Sequence, residues 1–272
     1  MMATEKGGLA ITWYGQAGLR IVSGLDQVLV DPFLSDRDDR AYPPPVQASA
    51  LVETELVLCT HEHEDHLDLP FLKELFAAGA RPFVVVPAPV RSQVLEAGLP
   101  ADRVLGAEVG VVLREGGVVV HPVAALHGIG GQEPVVYGFT SPGATTQDSR
   151  FLGYVIDVGG QRLYHAGDTL VYPGLAATLK GLQVEVVFLP INGRDFYREV
   201  KGTVGNMNED EAAMLAHEVG ARMVVPIHYD GFADNLGDLG RFASRVAQIG
   251  TTALLLLPRG VPVVLTPPAD KE

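Results

Sequence analysis

Nine consecutive residues, Thr60-His61-Glu62-His63-Glu64-Asp65-His66-Leu67-Asp68, set the tightest limit on what this chain can fold into. Three imidazoles crowd the stretch from His61 to His66 with the carboxylates of Glu62, Glu64 and Asp65 among them, just after an apolar run at 55–59 and just before a helical pattern. In a solvated loop these groups would repel one another and gain nothing from proximity. A divalent metal removes the conflict, because neutral imidazole and ionised carboxylate are ordinary ligands of zinc and similar ions. The His-x-His-x-Asp-His spacing at a strand-to-helix turn therefore reads as a metal loop rather than an acidic loop with chance histidines.

The chain around this loop has 272 residues, enough for one large α/β domain. It is 47% hydrophobic and 19% charged, which excludes wholesale disorder. A net charge of -13 gives no general attraction to nucleic acid or an anionic membrane, so neither is an expected partner. The N-terminus shows no basic segment followed by an apolar one, and apolar runs such as 253–257 are far too short to span a bilayer. The one cysteine, Cys59, cannot form an internal disulfide and sits mid-strand as a small apolar residue. A cytoplasmic enzyme is the expectation.

Short apolar runs broken by turn residues predict strands at 9–14, 19–22, 27–30 and 56–60. A helical spacing follows at 70–78, then a strand at 83–86, a helix at 89–97 and strands at 109–114, 118–120 and 123–126. The second half repeats this order. A hairpin at 151–158 and 161–164 turns on Gly159-Gly160, and a helix near 174–180 leads to a buried strand at 184–189. Asn208 caps a helix reaching about 219, with Glu209, Asp210 and Glu211 in its first turn. A strand at 223–227, a helix at 239–249 and strands at 253–257 and 261–265 complete the chain. Two similar halves of strands with outer helices predict a four-layer αββα sandwich in one domain, residues 1–272, rather than a doubly wound parallel sheet.

The loop His61-x-His63-x-Asp65-His66 resembles the signature of the metallo-β-lactamase superfamily. That pattern continues with a lone His, an Asp in a Gly-Asp-Thr turn and a final His after a strand. This chain offers His127, Asp168 in Gly167-Asp168-Thr169, and His228, in the same order. The resemblance implies that His61, His63 and His127 hold one divalent ion, that Asp65, His66 and His228 hold a second, and that Asp168 bridges them. A shared anion between two cations at ~3.5–4 Å offsets their repulsion. Zinc suits this set, and manganese or iron accept similar ones. Asp31 matches a position that supports the metal loop from behind, although a plain turn aspartate before Pro32 fits as well. His165 reads equally as a support or as packing, His121 as a core or edge residue, and His217 as a surface residue.

Within the superfamily, diiron flavoproteins carry a Glu where His63 stands, which disfavours an iron redox role. True β-lactam hydrolysis is disfavoured too, because resistance enzymes of this fold are generally exported. Trp13-Tyr14-Gly15-Gln16-Ala17-Gly18, Leu189-Pro190-Ile191-Asn192-Gly193-Arg194-Asp195, Gly205-Asn206-Met207-Asn208 and His228-Tyr229-Asp230 are similar to the L-ascorbate-6-phosphate lactonase-like branch. That likeness implies a hydrolase of a small, anionic lactone or ester, using hydroxide generated between two ions, with Asp65 and Asp168 orienting the reaction. Arg194, Arg198 and Lys201 are either an anion clamp over the metals, with Arg194 the best bidentate contact, or a solvated loop. Asn192 is either an oxyanion donor or a turn residue. The rival readings are a phosphodiesterase or nuclease, and a metal-binding protein without catalysis.

Overall fold

The apolar runs of each half of the chain pair into a seven-stranded sheet in the computed structural model, which describes residues 8–127, 149–193, 195, 198 and 205–267. The first half contributes β1 (Leu9–Gly15), β2 (Gly18–Ser23), β3 (Asp26–Val30), β4 (Leu56–Leu58), β5 (Phe83–Pro87) and β6 (Val104–Ala107). The second contributes β7 (Leu113–Glu115), β8 (Val118–Ala124), β9 (Leu152–Val158), β10 (Gln161–His165), β11 (Val186–Pro190), β12 (Met223–Ile227) and β13 (Ala253–Leu254). The last strand, β14 (Val263–Leu265), crosses back to pair antiparallel with β1 in the first sheet.

Each sheet combines an antiparallel meander with a parallel run. β1, β2 and β3 are joined by tight turns, and β3 through β6 are parallel. β7 through β10 form the matching meander, and β10 through β13 the matching parallel run. Inward side chains of the two sheets meet in one core, where Ile11, Leu19, Ile21 and Val28 pack with Ile156, Leu163, Val186 and Phe188. Helices cover both outer faces, so the expected αββα sandwich is the observed architecture. α1 (Leu69–Ala77) and α2 (Arg91–Glu96) cover the first sheet, where Phe71, Leu72 and Leu75 pack on Val57, Val84 and Val86. Burying side chains of this size contributes about 1.5–3 kcal/mol each. α3 (Leu175–Gly181), α4 (Glu209–Val219) and α5 (Leu239–Ile249) cover the second sheet.

Local chemistry fixes the helix starts that matter for the site. Asp68 caps α1 by accepting from Phe71 N–H at 3.0 Å, and its other oxygen accepts from Leu34 and Ser35 N–H at 2.9 and 2.7 Å. The residue that ends the histidine loop thus anchors it to the segment after β3. Asn208 and Glu211 form a reciprocal capping box at α4, and this cap holds the chain just beyond Gly205-Asn206.

Several sequence expectations shift. The strand at 104–107 was not predicted, because Gly106 interrupts its pattern; in the fold that glycine lets the chain approach Ala88, whose Cα would lie 3.1 Å from an added Cβ. The expected strand at 109–114 begins only at Leu113. Runs 118–120 and 123–126 are one strand through Pro122, tolerated because β7 pairs only with Val118–Val120 and leaves that side free of a partner at Pro122. The closing strands are shorter than expected, at Ala253–Leu254 and Val263–Leu265, the second starting just after Pro262. His121 lies in β8 at an intermediate depth, and His217 is exposed on α4, bonded to Thr251 Oγ1 at 2.7 Å. Among the described residues no helix is long and apolar enough to cross a membrane.

Candidate metal centre

The C-terminal ends of β3, β4, β10 and β12 and the segment after β8 deliver Asp31, the histidine loop, Asp168, His228 and His127 to one place. Parallel strands make this possible, since each ends at the same edge of its sheet with its next side chains free to turn inward. Two groups of ligand atoms result. His61, His63, His127 and Asp168 each offer one atom, all within 4.8 Å of one another, and so do Asp65, His66 and His228. The structure therefore brings together all seven residues that the sequence singled out.

Asp168 stands between the groups. Its Oδ1 lies 3.3 Å from His66 Nε2 and 3.2 Å from His228 Nε2, whereas its Oδ2 faces His127 Nε2 at 3.6 Å. One carboxylate oxygen is directed to each group, the disposition a bridging ligand needs. Within the groups, His61 Nε2 lies 2.9 Å from His63 Nδ1, and His228 Nε2 lies 3.1 Å from Asp65 Oδ2. Two atoms test whether a cation fits. His66 Nε2 and Asp168 Oδ1 are buried without a hydrogen-bond partner, an arrangement that would cost free energy unless something positive accepts their lone pairs. Donor set and orphaned atoms both suit divalent metal.

Supports behind the ligands fix their direction. Asp31, fully buried at the end of β3 with φ 44°, accepts from Thr60 N–H and Thr60 Oγ1–H at 2.8 Å each and meets His66 Nδ1 at 2.7 Å. The His66 Nδ1–H is thereby held on the carboxylate and Nε2 faces the cluster, the usual role of a carboxylate behind a ligating histidine. Of the two readings of Asp31, the geometry is that of the support. His127 is fixed in the same way, with Nδ1–H donating to Gly205 O at 2.7 Å. His165 donates from Nε2 to Ala17 O at 2.8 Å and accepts the Gly167 N–H at Nδ1 at 3.2 Å. It braces the turn that carries Asp168 and offers no nitrogen to the ligand groups.

Electrostatics follow from burial and from the alternation of signs. Burial pushes His61 well down and His127 down to about 4, so both imidazoles are neutral near pH 7, the form in which they ligate metal. Burial opposes ionisation of Asp168, yet the imidazoles of His228, His66 and His127 hold it well below the usual carboxylate range. Burial likewise opposes protonation of His66, and the carboxylates of Asp168, Asp65 and Asp31 overcome that and raise it. Cys59 is fully buried with its thiol pushed well up, chiefly by burial, so it is neither ligand nor nucleophile.

A cavity of about 300 Å³ opens over the ligands, with Asn192, Arg198, Asn206, Phe232 and Asn235 in its walls. Arg198 donates to Asn235 Oδ1 at 2.9 Å, Asn192 Nδ2 donates to the same oxygen at 2.9 Å, and Asn206 Nδ2 donates to Asn192 Oδ1 at 2.9 Å. Arg198 is also paired with Asp195. Arg194 and Lys201 lie outside the described residues. Sequence reasoning quoted Gln16, Thr60 and Gly205 only within longer motifs, without a role of their own, and did not name Asn235. Gly205 carries a steric requirement, because an added Cβ would lie 2.4 Å from His127 Cε1. Gly205→Ala is expected to displace that ring and lower metal affinity about 10–100-fold, read by competition with a chromogenic chelator, with little change in unfolding free energy when chelator is present.

The profile of the beta-lactamase superfamily domain matches residues 26–229, a span holding all seven candidate ligand residues from His61 to His228. The chain belongs to this superfamily. Two metal-dependent hydrolases are among its relatives, one from Methanoregula boonei (29% identical over 94% of this chain and 98% of the relative) and one from Rubrobacter xylanophilus (29% over 92% and 93%). Among solved structures, a metallo hydrolase from Ignicoccus hospitalis superposes with a TM-score of 0.71 at 20% identity, covering 95% of this chain and 98% of the other. An isothiocyanate hydrolase from Delia radicum gut bacteria superposes with a TM-score of 0.69 at 17% identity, covering 93% and 98%. These likenesses agree with the fold built above and identify the chain as a metal-dependent hydrolase of the metallo-β-lactamase superfamily.

Proposed function

We propose that this protein hydrolyses a lactone or ester bond in a small, anionic molecule, with two divalent ions held one in each ligand group and Asp168 shared between them. The observation that carries the reading is the split of Asp168, with Oδ1 toward His66 and His228 and Oδ2 toward His127. When bound, such ions supply Lewis acidity and lower the pKa of a water between them toward ~7. The chain's own residues do the rest. Asp65 and Asp168, ionised at neutral pH, orient the attacking water and accept its hydrogen bond. His61 and His127 stay neutral by burial, and Asp31 and Gly205 keep the nitrogens of His66 and His127 aimed inward. The cavity is of a size for a small molecule rather than a polymer, and Phe232 gives it an apolar wall.

Zinc is the ion we assign, on the strength of a nitrogen-rich set with carboxylates, and the cytoplasm is the compartment we assign, on the single unpaired Cys59. Anion recognition falls to Arg194 in this reading, since Arg198 is already neutralised by Asp195, while Asn192 shapes the wall beside the scissile bond. A panel of lactones, carboxylic esters, isothiocyanates and phosphodiesters, run with and without chelator, tests the reading. Turnover of lactone or ester that vanishes with chelator and returns with zinc is expected. Turnover of phosphodiesters alone would replace the bond class. Arg194→Ala is expected to raise KM for a phosphorylated lactone and leave a neutral one unchanged; equal KM values on both would remove the anion contact.

A further inference from the structure

Gln16 sits in the turn between β1 and β2 in the left-handed backbone region, with φ 50° and 1% exposure. A glutamine adopts that conformation only where its surroundings hold it, and here every polar atom is engaged. Its carbonyl accepts from Trp13 Nε1–H at 3.0 Å and from His228 N–H at 2.8 Å, and its N–H donates to Asp230 Oδ1 at 3.0 Å. In the side chain, Oε1 accepts from Gly231 N–H at 3.1 Å. A backbone N–H can only donate, so this contact fixes which end of the carboxamide is oxygen. The amide hydrogens must point the other way, where Nε2 lies 2.8 Å from Asp65 Oδ2 and 3.0 Å from His228 Nε2. Gly231 is what admits this fit, since a Cβ there would lie 2.3 Å from Gln16 Oε1.

The second ligand group depends on this contact in a way the first does not. His66 and His127 are each oriented by a partner on the ring nitrogen that faces away from the cluster. His228 has no such partner, because its Nδ1 is buried without a hydrogen bond, and its own backbone is strained at φ 57°. What holds it is Gln16, through the backbone carbonyl on one side and the amide on the other. The same amide group holds the Asp65 carboxylate. We infer that Gln16 is a positioning residue that holds the Asp65 carboxylate through its amide and the His228 backbone through its carbonyl, and so governs the affinity of the second metal position, leaving His61, His63 and His127 unaffected. A carboxylate oxygen has lone pairs for both a cation and the Gln16 amide, so the contact with Asp65 persists on loading, while the contact with His228 Nε2 gives way.

The inference rests on the two-ion reading, and stepwise zinc titration of the metal-stripped full chain separates the two. Gln16→Met keeps length and removes the donor. Gly231→Ala pushes the carboxamide aside and alters no ligand, and it serves if Gln16→Met fails to fold by circular dichroism. In either variant one of the two steps is expected to fall about 10–100-fold, the range for removing a group that orients a ligand, with the other step unchanged. Two unchanged steps in a folded variant would overturn the inference alone, as would an equal fall in both steps, which marks a general structural role. A wild-type chain that binds fewer than two ions would overturn the two-ion reading and this inference together.

Discussion

Asp168→Asn is expected to lower kcat/KM on the best lactone or ester by on the order of 10³-fold, since a shared ligand secures several kcal/mol of charge stabilisation and each 1.36 kcal/mol is tenfold in rate. The substitution keeps the shape of the side chain and removes the charge that both ligand groups use. Asparagine can turn only one oxygen toward a cation, so either the His66–His228 side or the His127 side loses its anion. Metal content should fall with activity, and elemental analysis beside the kinetics reads both. Activity within tenfold of wild type would mean that Asp168 does not join the two groups.

Asp31→Ala is expected to reduce stability by about 3–5 kcal/mol even where no metal is bound, because it strands buried donors that had a charged acceptor. Thr60 N–H, Thr60 Oγ1–H and His66 Nδ1 all converge on this carboxylate at 2.7–2.8 Å, and none has water to replace it. Unfolding in urea with chelator throughout isolates the effect from metal loss. Asp31→Asn tolerates the left-handed φ of 44° and keeps one accepting oxygen, so its loss should be smaller than that of the alanine variant. A fall below about 1 kcal/mol for Asp31→Ala would place it among ordinary surface changes and contradict the buried-acceptor account.

The ligands were legible in the sequence because metal chemistry is selective about residue type and because the histidine loop is local. Once His61 to His66 were read as a metal loop, its resemblance to the metallo-β-lactamase pattern pointed to His127, Asp168 and His228 at later strand ends. Supports were legible only where their residue type suggested a role. Asp31 was noticed as a carboxylate, with a turn residue as its alternative, and only the bond to His66 Nδ1 decides between them. His165 carries the same imidazole as the ligands, so its bracing of Gly167 could not be told from packing. Gln16 stood inside the motif at 13–18 but gave no chemical signal of its own role. Its partners Asp65 and His228 lie 49 and 212 positions away, and a glutamine in a turn has many uses that leave no periodicity. The strand at Val104–Ala107 was hidden for a related reason, since Gly106 is chosen for the approach of Ala88 rather than for strand propensity.

Chain segments more than a hundred residues apart are expected to build two adjacent cation positions joined by Asp168. Anomalous X-ray diffraction at the zinc edge, from crystals grown with zinc, tests this directly. Two peaks are predicted about 3.5–4 Å apart, one against His61, His63 and His127 and the other against Asp65, His66 and His228. A single peak, or peaks only on surface carboxylates away from Asp168, would contradict the account.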